Sequence, residues 1–191
     1  LAEALRFNSS LTSLNLSNDR IGPKGARALA EMLRFNVTLE TLSLQHNIIR
    51  DLGARLLAEA LAVNSTLLEL AVGGNNIGPE GTIDIAEALT LNQTLHFLDI
   101  HNNRPGDSGV QRLAAVLGEQ NISLMGLDLH ECSISDAGAA ALADMLCHNH
   151  TLTGLNLDEN LIAVPGVTAL AEGLRKQVTM LTHLDLRRNC F

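Results

Sequence analysis

A period of 28 residues runs through this chain and constrains its fold more than any other feature of the sequence. The segment Leu11-Thr-Ser-Leu14-Asn-Leu16 returns as Leu39/Leu42/Leu44, Leu67/Leu70/Val72 and Leu95/Leu98/Ile100. It continues as Leu124/Leu127/Leu129, Leu152/Leu155/Leu157 and Leu181/Leu184/Leu186. Two steps are 29 residues long, the extra residue falling near Gly118–Gln120 and near Val178–Met180. No linker interrupts the array, so residues 1–191 are expected to form a single domain of about six and a half repeats. Neither end carries a polar capping repeat, so the chain is expected to be a fragment of a longer array.

Within each repeat the periodicity changes. Leu14-Asn-Leu16 alternates, as a short strand with one buried face does. Three residues on lies a column of Asp19, Asn47, Asn75, Asn103, Cys132, Asn160 and Asn189, whose side chains can bond turn backbone that the strand no longer satisfies. Cys132 is therefore expected to be structural and unreactive. Ile21, Ile49, Ile77, Ile134, Ile162 and Phe191 are expected to plug the interior, with Pro105 as the exception. Pro23, Pro79 and Pro165, or Asp51, Asp107 and Asp136, then mark helix starts. Gly25, Gly53, Gly81, Gly109, Gly138 and Gly166 form a column where backbones are expected to pass too closely for a side chain. Leu29/Ala30/Leu33 and their equivalents repeat at helical spacing. Asn8, Asn36, Asn64, Asn92, Asn121 and Asn149 follow the helices, where a left-handed conformation is expected to end them.

Composition excludes several function classes. Hydrophobic residues make up 46% of the chain, yet it has no Trp, no Tyr and only four Phe, so its apolar mass is aliphatic. A net charge of -8, without a basic stripe or stacking aromatics, argues against nucleic-acid binding. No apolar run approaches the roughly 20 residues of a membrane span. Cys132, Cys147 and Cys190 are odd in number and lack metal-ligand spacing, which fits a reducing, cytoplasmic location.

The pattern LxxLxLxxNxIxxxGxxxLAxxL resembles the leucine-rich repeat of the ribonuclease-inhibitor type, over nearly the entire chain. The phrases GARALAEML and LAEAL are most similar to the repeats of NOD-like receptors; bacterial effectors with Gly-Ala-x-Ala-Leu-Ala repeats and the Ran GTPase-activating protein are further relatives. The resemblance implies an α/β solenoid, a horseshoe with parallel strands on its concave face and helices on its convex face. It implies a non-enzymatic protein-binding module within a larger intracellular receptor or scaffold; the alternative is a GTPase regulator. The matching residues are all scaffold, so no catalytic residue carries over.

The six Asn residues after the helices also begin Asn-x-Ser/Thr sequons, but their shared register reads as one structural feature repeated. The outward strand face carries the functional signal. Its columns are small and mostly neutral in the first three repeats. Later they bring Asp99, Asp128, Glu131, Asp158, Glu159 and Asp185, opposed only by Arg187 and Arg188. Stacked carboxylates repel, which points to a basic partner. Phe97, the only aromatic there, is expected to serve as an anchor beside a notch at Gly126 and Gly154. Asp99-x-His101 and Asp128-x-His130 could bind Zn²⁺ with Glu131 or Asp158, or act in a hydrolase, but are read as polar interface residues. The expected docking site is thus Phe97, Asp99, His101, Asp128, His130, Glu131, Asp158 and Glu159, with no cofactor, no metal and no small-molecule substrate.

Overall fold

The computed structural model describes residues 1–176 and 179–191, and Val178, at the second insertion, lies outside the described residues. Seven strands pair in parallel, in chain order, as one sheet: β1 Ser13–Asn15, β2 Thr41–Ser43, β3 Glu69–Ala71, β4 Phe97–Asp99, β5 Gly126–Asp128, β6 Gly154–Asn156 and β7 His183–Asp185. Register follows the period, with Leu14 opposite Leu42 and Leu127 opposite Leu155. The helices are α1 Ala2–Leu5, α2 Pro23–Leu33, α3 Arg50–Leu61, α4 Pro79–Leu91, α5 Gly106–Glu119, α6 Asp136–Leu146 and α7 Val164–Arg175. Each helix packs against the next along the convex side. The first extra residue is absorbed by α5, the longest helix.

The core is one continuous band of the repeated Leu, Ile and Ala positions. Ile49, Ile77, Ile134 and Ile162 are fully buried plugs, and Pro105 fills the same position in its repeat. Phe191, expected as a plug at the same position after β7, is 57% exposed.

Two ladders of asparagine tie the repeats together. Asn47 Nδ2 donates to the carbonyls of Leu16 and Leu44, while its Oδ1 accepts from the N–H groups of Asp19 and Ile21 in the preceding repeat. Asn75, Asn103 and Asn160 repeat the donor pattern. Cys132 breaks the ladder where the preceding repeat carries Pro105, which has no N–H to offer. Its thiol donates weakly to the Ile100 carbonyl at 3.4 Å, and burial pushes its pKa up to about 12.

The second ladder corrects the expectation of left-handed helix ends. Asn36, Asn64, Asn92, Asn121 and Asn149 are absent from the residues with positive φ, and all five are buried. Asn64 Nδ2 donates to the Leu33 and Asn36 carbonyls, and its Oδ1 accepts from Thr66 and Leu67 N–H. These side chains bridge repeats instead of ending helices in the left-handed region.

The glycine column also has a different cause from the one expected. A Cβ on Gly53 would stand 2.5 Å from Ile49 Cγ2, and one on Gly166 would stand 2.7 Å from Ile162 Cγ2. The plug side chain, rather than a neighbouring backbone, takes the space. Close backbone approach occurs at Gly173, where a Cβ would lie 2.6 Å from the Ala143 carbonyl oxygen.

Candidate functional site

Each strand delivers two outward side chains and then turns through a residue in the left-handed region. Asn18, His46, Gly74, Asn102, Glu131, Glu159 and Arg188 all have positive φ there. That bend turns the residues just before it back across the concave face. His101 therefore lies over Gly73, where a Cβ would clash with its ring, and His46 fills the space beside Gly74. The rings of His46 and His101 meet edge to face at 5.5 Å, and His101 and His130 are 6.2 Å apart. His46 was missing from the expected site; the glycine pair Gly73-Gly74 was the signal for it.

The carboxylates divide into two groups. Asp99 is only 4% exposed. His101 Nδ1 donates to its Oδ1 at 2.7 Å, His101 N–H donates to the same oxygen, and Gln45 Nε2 donates to Oδ2 at 2.6 Å. Burial would raise the Asp99 carboxyl, but these three hydrogen bonds outweigh it and hold the group below the usual carboxylate range. The same bond raises His101 above the ordinary histidine value, against the opposing effect of its burial. Asp158 is equally buried, with Oδ2 3.7 Å from Arg187 Nη2 and 3.9 Å from Arg188 Nη1. Arg188 also pairs with Glu159, and Arg187 with Asp185. Among the described residues Glu69, Asp128 and Glu131 make no ion pair, whereas Asp158, Glu159 and Asp185 share two arginines.

Phe97 stands at the rim of a groove of about 890 Å³ that runs across β4 to β7. The notch expected at Gly126 is filled by Phe97 itself, since a Cβ there would be 2.5 Å from Cδ2 of the ring. Gly154 keeps the notch open, with nothing within 4 Å of its Cβ position. The groove reaches Asp128, Asn156, His183 and Asp185, extending the expected site by one repeat. His183 and Asp185 occupy the same outward columns as Phe97 and Asp99 and were legible there.

The structure therefore gathers the eight expected residues on one surface but in three settings. Phe97 and Asp128 line the groove. Asp99 and His101 form a closed pair beside it. His130, Glu131 and Glu159 lie within 4.8 Å of one another at the strand exits, with Asp158 beneath His130.

The sequence profile described as "Leucine Rich repeat" matches residues 7–30, 35–58, 63–86, 120–143 and 148–171. The repeat carrying Phe97 and Pro105 falls between the matched segments. Mouse ribonuclease inhibitor is 34% identical over 77 residues, 40% of this chain and 17% of that protein. Human NACHT, LRR and PYD domains-containing protein 13 is 38% identical over 66 residues, 35% of this chain and 6% of its own length. The matched stretch thus spans under a fifth of the curated relatives. Among solved structures, the tropomodulin C-terminal domain of Caenorhabditis elegans superposes with a TM-score of 0.64 at 18% identity, covering 92% of this chain and 89% of that one. The structure titled Leiomodin-1 Actin-Binding Site 2 gives 0.58 at 20% identity, covering 92% and 88%. With the profile matching more than half of the chain on a strand-and-helix horseshoe, and with stretches similar to ribonuclease inhibitor, the protein belongs to the leucine-rich repeat family.

Proposed function

We propose that this chain is a non-catalytic protein-interaction module whose partner docks on the concave strand face of β4 to β6. The observation that carries the reading is the groove beside Phe97, open at Gly154 and walled by the unpaired carboxylate of Asp128. A groove of this size accepts a projecting side chain, and an aromatic rim suits an interface anchor. Asp128, Glu131 and Glu69 favour a basic partner, since their charges lack cations of their own. The buried Asp99 and Asp158 act from beneath, by fixing His101, Arg187 and Arg188. Similarity to NACHT, LRR and PYD domains-containing proteins supports a place in a larger cytoplasmic receptor.

The test is a selection of displayed random peptides on the immobilised chain. Enriched peptides should be rich in Lys and Arg, should bind more weakly as salt is raised, and should be lost on Asp128→Lys but kept on Ser43→Lys. Peptides without basic bias, or lost on Ser43→Lys and kept on Asp128→Lys, would overturn this placement.

A further inference from the structure

From the strand exits of β5 and β6 we infer a binding site for a divalent transition-metal ion of the Zn²⁺ class, formed by His130 Nε2 with the carboxylates of Glu131 and Glu159. One ligand atom from each of these residues lies within 4.8 Å of the other two. Tetrahedral zinc with ligands at about 2.0–2.2 Å places them roughly 3.4 Å apart, so the cluster closes on an ion by side-chain movements of about 1 Å.

The imidazole is already set up as a ligand. His130 Nδ1–H donates to the Asp158 carbonyl oxygen at 3.1 Å, and Asp158 Oδ2 stands 3.6 Å from the same nitrogen. Holding the proton on Nδ1 leaves the Nε2 lone pair facing outward, and a backbone or carboxylate acceptor behind the ring is the usual support of a metal-bound histidine. Nε2 then faces Glu159 Oε2 at 3.9 Å. A lone pair opposite a carboxylate oxygen is repulsive unless a proton or a metal ion lies between them, and the carboxylate of Glu131 close by completes a ligand set for the latter. Arg188 holds the other oxygen of Glu159, leaving Oε2 for this role.

Asp158 supports the ring from behind. The Asp158 side chain is 6% exposed, and its Oδ1 is buried without a hydrogen-bond partner. This carboxylate lies on the Nδ1 side of the ring, with Arg187 and Arg188 already 3.7 and 3.9 Å from its Oδ2, so it backs the imidazole rather than facing the ion. Imidazole with carboxylates suits a borderline ion better than Ca²⁺ or Mg²⁺, which prefer all-oxygen sets. Three protein ligands leave a fourth position toward solvent, because Glu131 is exposed. Arg187 and Arg188 oppose the ion electrostatically, so the site binds moderately and more tightly once Arg188 is removed.

Calorimetric titration of the chelator-stripped chain with Zn²⁺ alone tests the site, with Co²⁺ absorption as a report of coordination geometry. Binding should saturate at one equivalent, and Co²⁺ should give the intense visible bands of a tetrahedral site. His130→Gln and Glu159→Gln should each weaken binding about tenfold or more. Glu131→Gln, at an exposed position that leaves folding untouched, should weaken it as well, whereas His183→Ala should not. Arg188→Ala should tighten it. Several weak equivalents, a six-coordinate Co²⁺ spectrum, or an affinity unchanged in Glu131→Gln and Glu159→Gln would overturn the assignment.

Discussion

Glycine and histidine show at single positions how local space decides the effect of a change. Gly154 and Gly173 look alike in the sequence, yet one faces open space and the other faces the Ala143 carbonyl at 2.6 Å. Gly154→Ala should leave stability unchanged or raise it by about 0.4–1 kcal/mol through the unfolded state. Gly173→Ala should cost about 1–3 kcal/mol as an overpacked contact; urea unfolding of the two variants measures both. The Asp99–His101 pair sets a pH window. Its contribution on the histidine side is complete below the ordinary value of 6.5 and is lost as pH rises through the raised value of His101. On the acid side it is complete above 3.8 and is lost as pH falls through the lowered value of Asp99. Urea midpoints across pH should therefore decline on the alkaline side, and His101→Gln should flatten that decline. Cys132, with its thiol at about 12 and fully buried, should resist a thiol reagent that labels exposed Cys190 rapidly.

Between elements, the strongest connections run from one repeat to the next. Asp107 lies in the first turn of α5, but its Oδ1 accepts from Ser135 and Gly138 N–H at the start of α6. Asp51 does the same for α4 and Asp136 for α7. Asp107→Ala should cost about 1–2 kcal/mol in thermal unfolding, as loss of a helix cap does. Asn75→Ala should cost about 1–3 kcal/mol, because the buried Ile49 N–H loses its acceptor while the Leu44 and Val72 carbonyls each lose one of two amide donors. These links explain what was legible in the sequence. The strands, helices and plugs follow from period and residue type within one repeat. The second asparagine ladder and the shared helix caps did not, because their partners lie 27 to 32 residues away and their bonds depend on stacking. The candidate site shows the same division: the columns placed Phe97 and Asp128 correctly on the concave face. They could not show that Asp99 and Asp158 are buried, because Gln45, Arg187 and Arg188 reach them from other strands and such pairing is not written in the spacing.

At the scale of the whole molecule, a stack in which each strand and helix packs on its sequence neighbours presents its concave face as a continuous platform. On the proposed function, the partner reads the repeats that interrupt this uniformity. Here the interruption lies at β4 to β6, where an aromatic, an open glycine and an unpaired carboxylate occur together. Attraction from Asp128, Glu131 and Glu69 should speed association with a basic partner and fade as salt shortens the Debye length below roughly 8–10 Å. Hydrogen–deuterium exchange of the chain with and without a selected basic peptide tests the placement most directly. Binding to the concave platform predicts new protection confined to β4, β5 and β6 and to the turns at His130–Glu131 and Asp158–Glu159. Protection on β1 and β2, or along the convex helices with β4 to β6 unchanged, would contradict it.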